Sequence, residues 1–462
     1  MTKQIELTTL LCLIISVTMG ITPVKAQNLS EIVDLALQND PTLKKVEAER
    51  SAREEFKNQS LARFFPNLSA VGRSSLEFLH NKKAIGATSL RDIDFRGPQV
   101  NQEYWSHTFD LNMTQPVFHW DHWVQLSQSE NVIAQAEAKY QAELQNLLTK
   151  TTQAYFEVLS ARDNLEFAMA EKEAIARQLE QARQRFEVGI IAITDVNEAQ
   201  AAFDQALASE IEAANLLDNK NEALKEIIGE QDIVLDLLGE QLPLKKPEPA
   251  DISKWSTTAE LNNFDVIAAY NEAESARKTI EIQRSGHFPQ LDIVGSYGVS
   301  DVNSSFGFRG DTQNIGLRLN VPLFEGGNVN SKTRQAHFEF EAAKENLSAV
   351  RRSITRQVKD AYRGVITNIS RVEALKTAVT SSETSLEASE AGLAVGTRTM
   401  VDVLNVQRDL YKAKRDFSRA RYDYLINSIK LKQLASNLTQ VDLEQISRLL
   451  LPGEKPVDQA VP

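Results

Sequence analysis

The chain has very little cysteine. Its single one, Cys12, lies in an apolar run near the amino end, so no disulfide is available to the rest. The protein must hold together by packing and assembly. Positive charge is also short: 51 Lys and Arg face 63 Asp and Glu, and a net charge of −12 argues against nucleic acid as a partner. Proline and glycine are few, 13 and 19 of 462 residues, which favours a folded, helix-rich chain over a low-complexity one. After the amino end no apolar run approaches the roughly 20 residues of a spanning helix, so any membrane residence must come from strands. A Gly-rich phosphate loop, a nucleophile elbow and a zinc-protease helix motif are all missing. An enzyme has no foothold here, and no cofactor is implied.

Residues 1–26 read as a secretory signal. Lys3 precedes an apolar run from Leu7 to Met19, and Val24-Lys25-Ala26 precedes Gln27. A membrane anchor would need a longer run. Leu11 stands where a lipoprotein signal wants a small residue before Cys12, so lipidation is not expected. Without Lys3, Lys25 and Glu6 the remaining chain carries about −13.

What is present is said twice. Arg185-Phe186-Glu187-Val188-Gly189-Ile190-Ile191-Ala192-Ile193-Thr194-Asp195-Val196 returns, altered, as Ala394-Val395-Gly396-Thr397-Arg398-Thr399-Met400-Val401-Asp402-Val403. Gly189 and Gly396 stand 207 positions apart (396 − 189), as do Asp195 and Asp402, and Ala154-Tyr155 and Ala361-Tyr362. In each copy a long helical pattern runs into Val-Gly, turns, and restarts at Thr-Asp or Thr-x-x-Asp, residues suited to opening a helix. Each reads as the tip of a helical hairpin. A repeat this long is the duplication of a whole unit. The copies are placed at 27–250 and 251–436, with a partly mobile tail at 437–462.

In chain order, a short helix from Leu29 is opened by Asn28 or Ser30, and a second follows Asp40-Pro41 to about Arg63. The period then changes to two. Leu68, Ala70, Gly72, Leu76 and Phe78 form one strand, and Phe109, Leu111 and Met113 a second that ends at Phe118. A helix from about Asp121 to Glu187, uninterrupted by Pro or Gly, would be about 100 Å long. A returning helix runs to Ile228, followed by a linker over Pro243-Leu244-Lys245-Lys246-Pro247-Glu248-Pro249. The second half repeats the plan: a helix to about Ser285, strands through Leu291, Ile293, Gly295, Tyr297 and Val299 and through Ile315, Leu317, Leu319 and Val321, then a long helix from about Asn328 to Ala394 and a return to about Ser436.

Strands of roughly 12 to 15 residues can cross a bilayer when tilted. Four of them cannot close a barrel, and open edges are not tolerated in lipid, so copies must share one. Two copies would fill their lumen with side chains; three would give twelve strands and room for a channel. Polar strand residues Arg73, Glu77, Asp110, Asp292 and Arg318 favour the watery lumen. Aromatics at the strand ends fit interface girdles: Phe64, Phe65, Phe118, Trp120, Trp123, Phe288 and Phe324 on the helix side, Tyr104 and Trp105 on the loop side.

The paired strand hairpins, the long helices and both tip motifs resemble the outer membrane efflux protein family, the TolC-like trimeric channel-tunnels of Gram-negative bacteria. The likeness spans residues 27 to about 445. It implies a membrane α+β fold with internal duplication: a homotrimeric 12-stranded β-barrel, four strands per protomer, continued by a 12-helix periplasmic α-barrel of long coiled-coil helices. It also implies residence in the outer membrane and export of drugs, toxic small molecules or secreted proteins. Its partners would be outer membrane lipid, a periplasmic adaptor (membrane fusion) protein and an inner-membrane transporter of RND, ABC or MFS type.

The resemblance gives the tips their roles. Arg398 in one tip and Thr194-Asp195 in the other would latch an iris-like gate, the alternative being that Asp195 only favours its own helix dipole. Asp402 matches a ring of carboxylates at the entrance, or is simply an early helix acid. Leu393 stands where such gates carry a tyrosine and Asn405 where they carry a second acid, which implies one acidic ring and weaker block by polycations. Val188-Gly189 and Val395-Gly396 look like the grooves that receive the adaptor. His119-x-x-His122 has a spacing seen in metal sites, but with Trp120 and Trp123 interleaved it reads as girdle, so no metal is expected. Long hairpins and a secretory signal would also suit a periplasmic adaptor or a structural coiled-coil protein, although neither needs two membrane-length strand hairpins.

Overall fold

A computed structural model describes residues 27–83, 99–231, 233–239, 241–303 and 308–452. The expected signal at 1–26 and the last ten residues of the tail lie outside them, as does most of the first strand-to-strand loop. The elements are α1 (Leu29–Asn39), α2 (Pro41–Ala62), β1 (Asn67–Lys83), β2 (Gln99–Phe118), α3 (Trp120–Glu187), α4 (Ile193–Ile228), β3 (Leu237–Leu238), α5 (Ile252–Asn262), α6 (Phe264–Arg284), β4 (Gln290–Val302), β5 (Arg309–Asn320), α7 (Asn328–Ala394), α8 (Met400–Leu434), α9 (Gln440–Ser447) and β6 (Leu450–Leu451).

The chain divides into two compact units that cut across the repeats: residues 46–141 with 264–352, and residues 1–45, 142–263 and 353–462. Each repeat therefore supplies part of both.

The first unit is built around an antiparallel sheet of order β1-β2-β4-β5. β2 pairs with β4 across the boundary between the repeats, from Ser106 opposite Val302 to Phe118 opposite Leu291. The two hairpins thus form one sheet, with β1 and β5 as its edges. Register gives the sheet two unlike faces. One carries Leu68, Met113, Gly295 and Ile315 in a row, then Ala70, Leu111 and Tyr297, then Gly72, Phe109 and Val299. The other carries Ser69, Asn112, Ser296 and Asn314, with Arg73, Thr108 and Ser300 four residues on. Leu68, Ile315, Leu317 and Leu319 are between 64 and 78% exposed. So much apolar surface in one place marks a face that meets lipid. Aromatics gather at its helix end, where Phe64 meets Trp123 edge-on at 4.9 Å and Trp120 meets Phe288 at 6.3 Å.

β1 and β2, at 17 and 20 residues, are longer than alternation alone implies. The ladder runs on through pairs such as Phe78–Glu103 and Leu79–Gln102, in which the β2 partner is polar on both faces. Hydrogen bonding there continues after the apolar signal has ended.

The second unit is helical. Tyr155, Phe156 and Leu159 of α3, Val358 and Val365 of α7, and Ile429 of α8 are buried, and the Tyr155 hydroxyl donates to the Asp236 carbonyl at 2.8 Å. α1 opens as expected: the Asn28 side chain accepts from the Glu31 N–H at 3.0 Å and Glu31 reaches back to the Asn28 N–H. Asp40 caps α2, accepting from the Leu43 N–H at 2.7 Å. The stretch expected to begin a mobile tail contains α9 and β6. Leu443 is fully buried, the Ser447 hydroxyl accepts from the Ser30 N–H at 3.1 Å, Lys432 pairs with Asp442 at 2.6 Å, and Leu450 and Leu451 pair with Leu238 and Leu237. These contacts tie the segment back to α1 and β3. Among the described residues no helix is long and apolar enough to cross a membrane.

Candidate functional site

Both hairpin tips solve the same backbone problem in the same way. Gly189 and Gly396 each have φ +77°, where an L side chain is strained. Around the first, Gly189 N–H bonds the Phe186 carbonyl at 2.8 Å and Ile190 N–H the Arg185 carbonyl at 2.9 Å. Around the second, Gly396 N–H bonds Leu393 at 3.3 Å and Thr397 N–H bonds Gly392 at 2.8 Å. Both are Schellman closures, which satisfy carbonyls a helix end leaves open.

The restarts differ. Thr399 caps α8: its hydroxyl accepts from the Asp402 N–H at 3.2 Å, and Asp402 Oδ2 accepts from the Thr399 N–H and hydroxyl at 2.9 Å each. The first restart departs from expectation. α4 starts at Ile193 with Ala192 in the cap position and no side-chain cap, so Thr194 and Asp195 lie inside the first turn. The chain enters the helix two residues earlier than a Thr194 cap would allow, and Ala192 has no side-chain acceptor to offer.

The Thr399 backbone N–H, its hydroxyl and then nearby Arg398 hold the Asp402 carboxyl below the usual carboxylate range. Its charge and the cap it makes persist at neutral pH and fade only as the pH falls through that lowered value. Asp402 is therefore a capping residue whatever else it does. Asn405 accepts from Arg408 at 2.9 Å. Among the described residues no ion pair joins Arg398 to Asp195 within one chain. Arg398, in the turn between α7 and α8, instead lies against the end of α7: a Cβ on Gly392 would sit 2.7 Å from Arg398 Cγ.

Beneath the tips the hairpins share a core. Ile175, Leu179 and Ala182 of α3, Ala199 and Ala206 of α4, and Met400 and Leu404 of α8 are buried together, with Ile191, Val196 and Leu393 packed against them. Leu393 thus faces apolar neighbours. Val188, Ile190 and Val395 project outward at 70, 72 and 76% exposure. Sequence reasoning missed Gly392 and this shared core; alanines at 199 and 206, seven apart, were the available signal. It also missed ties farther from the tips. Burial pushes the Asp163 carboxyl up, although it accepts from the Ser418 and Tyr422 hydroxyls, and Arg415 pairs with Glu171 at 2.7 Å. Both link α3 to α8.

The outer membrane efflux protein model matches residues 32–230 and again 255–437. The chain belongs to the outer membrane efflux protein family. The outer membrane protein TolC of Vibrio cholerae serotype O1 is 37% identical over 453 residues, covering 96% of this chain and 99% of its own length. TolC of Escherichia coli K12 is 35% identical over 447 residues, covering 94 and 86%. The crystal structure of the Campylobacter jejuni CmeC outer membrane channel superposes with a TM-score of 0.76 at 17% identity, covering 92% of this chain and 90% of that one. This efflux protein is accordingly an outer-membrane channel that extends into the periplasm. Its relatives are channels rather than enzymes, and the adaptor reading falls with that finding.

Proposed function

We propose that three copies of this chain close one 12-stranded barrel and a periplasmic helical conduit, through which a tripartite complex exports drugs, toxic small molecules or proteins. The observation that carries this reading is the pair of free edges. β1 and β5 bound a sheet of membrane-length strands with one lipid-type face, and among the described residues neither outer edge is paired. Unpaired backbone cannot face lipid, so β5 of one copy pairs with β1 of the next until the ring closes.

The tips form the periplasmic entrance. Arg398 reaches Thr194 and Asp195 of another hairpin across the assembly and holds the entrance shut, while Asp402 contributes one carboxylate per copy to a ring. Each exposed ion pair contributes about 0 to 1 kcal/mol, small enough for partner binding to overcome. Val188-Gly189 and Val395-Gly396 receive the periplasmic adaptor, which joins an inner-membrane transporter of RND, ABC or MFS type. The exposed valines and isoleucine of the tips support that role. The chain performs no chemistry on its cargo.

Single-channel conductance of detergent-purified protein in planar bilayers tests the reading. Low conductance that rises several-fold in Arg398→Ser is expected. An open wild type unaffected by the substitution would remove the latch, and absence of any channel would remove the assembly.

A further inference from the structure

The corner where β2 hands over to α3 holds side chains that the channel reading leaves without a task. His119 precedes α3 and His122 lies in its first turn, their rings stacked 4.6 Å apart at 15°. Asp121 sits beside both, with Oδ1 3.9 Å from His119 Nδ1 and Oδ2 3.7 Å from His122 Nε2. One ligand atom from each of the three residues lies within 4.8 Å of the others. The side chains are only 13 to 25% exposed.

The gaps are informative. They are too long for hydrogen bonds. Ligand atoms held about 2.1 Å from a tetrahedral ion lie roughly 3.4 Å apart, so each histidine–Asp121 gap of 3.7 to 3.9 Å needs only a small closure, and the set of three, within 4.8 Å, a larger one. The other nitrogen of His119 is occupied: Nε2 lies 2.9 Å from Asp292 Oδ1, and Asp292 Oδ2 accepts from Arg318 at 3.1 Å. An imidazole that donates N–H to a carboxylate keeps its proton on that nitrogen and leaves the lone pair on the opposite one for a metal. Here that leaves His119 Nδ1 directed at Asp121. His122 Nδ1 is buried without a partner, so neither ring nitrogen of His122 is hydrogen-bonded among the described residues. The stacked rings must splay for both to meet one ion, and the histidine χ2 torsion is broad enough to allow it.

We propose that His119, Asp121 and His122 bind one divalent transition-metal ion per chain, with Asp292 as the positioning residue behind His119. Two imidazoles and one carboxylate suit Zn²⁺, Co²⁺, Ni²⁺ or Cu²⁺ rather than Mg²⁺ or Ca²⁺. The bound ion clamps the first turn of α3 to the strands through Asp292 and Arg318. This departs from the girdle role that the interleaved tryptophans imply for the histidines.

The test is a Co²⁺ titration of tag-free, chelator-treated full-length protein in detergent, followed by visible absorption and by displacement with Zn²⁺. One Co²⁺ per chain is expected, displaced by Zn²⁺. Affinity should fall about tenfold or more in His122→Gln and in Asp121→Asn, and about tenfold in Asp292→Asn. Asp121→Asn keeps the side-chain shape and serves if His122→Gln fails to fold. Absent absorbance at millimolar Co²⁺, or binding unchanged in a folded Asp121→Asn protein, overturns the proposal.

Discussion

The two hairpin tips end their first helices identically and begin their second ones differently. Gly189 and Gly396 share the same φ and the same pair of closing hydrogen bonds. The second tip then writes its helix start into local chemistry, with Thr399 and Asp402 satisfying each other's backbone groups. The first has only Ala192 in that place, and Ile191 and Val196 reach instead into the buried cluster of α3, α4 and α8. A helix start can thus be fixed by hydrogen bonds at its own end or by packing one turn in. Duplicated units need not keep the same choice. The polar solution leaves Arg398 and the Asp402 charge at the second tip; the packed one leaves the first tip apolar at Val188 and Ile190.

The difference can be broken at its core. Leu179→Ala removes a large side chain from the shared cluster and should cost roughly 2 to 4 kcal/mol. Amide hydrogen exchange should show the start of α4 losing more protection than that of α8, because α4 has packing alone to begin it whereas α8, with Met400 and Leu404 in the same cluster, also has the Thr399–Asp402 cap. Equal losses would refute the contrast.

Next in size is the element the tips share. Gly189→Ala and Gly396→Ala should each cost about 1 to 2 kcal/mol, since the left-handed conformation rather than crowding is the obstacle. No atom lies within 4 Å of the added Cβ at either place. Matching losses of protection at the two tips are expected, and a marked inequality would mean that one turn rearranges.

The smallest effect separates the caps. Thr399→Ala should cost about 1 kcal/mol of local helix stability and Thr194→Ala close to none, because Thr194 caps nothing. Protection of the first-turn amides of α8 and α4 reads both. A loss in Thr194→Ala as large as that in Thr399→Ala would show that α4 is capped after all.

Much of this was legible along the chain. The 207-residue offset located both tips, and period-two alternation found all four strands of the sheet. Asn28 and Asp40 announced α1 and α2 because a cap is a local signal, read within four residues. What escaped was non-local or masked. Pairing of β2 with β4 follows from neither hairpin alone. The extended ends of β1 and β2 lose their alternation through Asn101, Gln102 and Glu103. Thr194-Asp195 mimicked a cap, but the helix has already begun at Ile193, with Ala192, two residues before Thr194, in the cap position. The helix after Ser436 was announced by Thr439-x-x-Asp442, a capping box passed over beside a proline-containing end. Asp292 lies 173 residues from His119, so the corner they build could not be read from the His-x-x-His spacing.

The free edges of β1 and β5 have a genetic corollary. In the proposed ring, where β5 of one copy pairs with β1 of the next, each copy answers for its neighbours' backbone as well as its own. A lesion confined to one edge strand is therefore not diluted by healthy copies in the same cell; it is built into the assemblies they form together. Alleles damaged there should behave dominantly, whereas those that alter only the exposed tips leave every ring sealed and their defect confined to traffic through it.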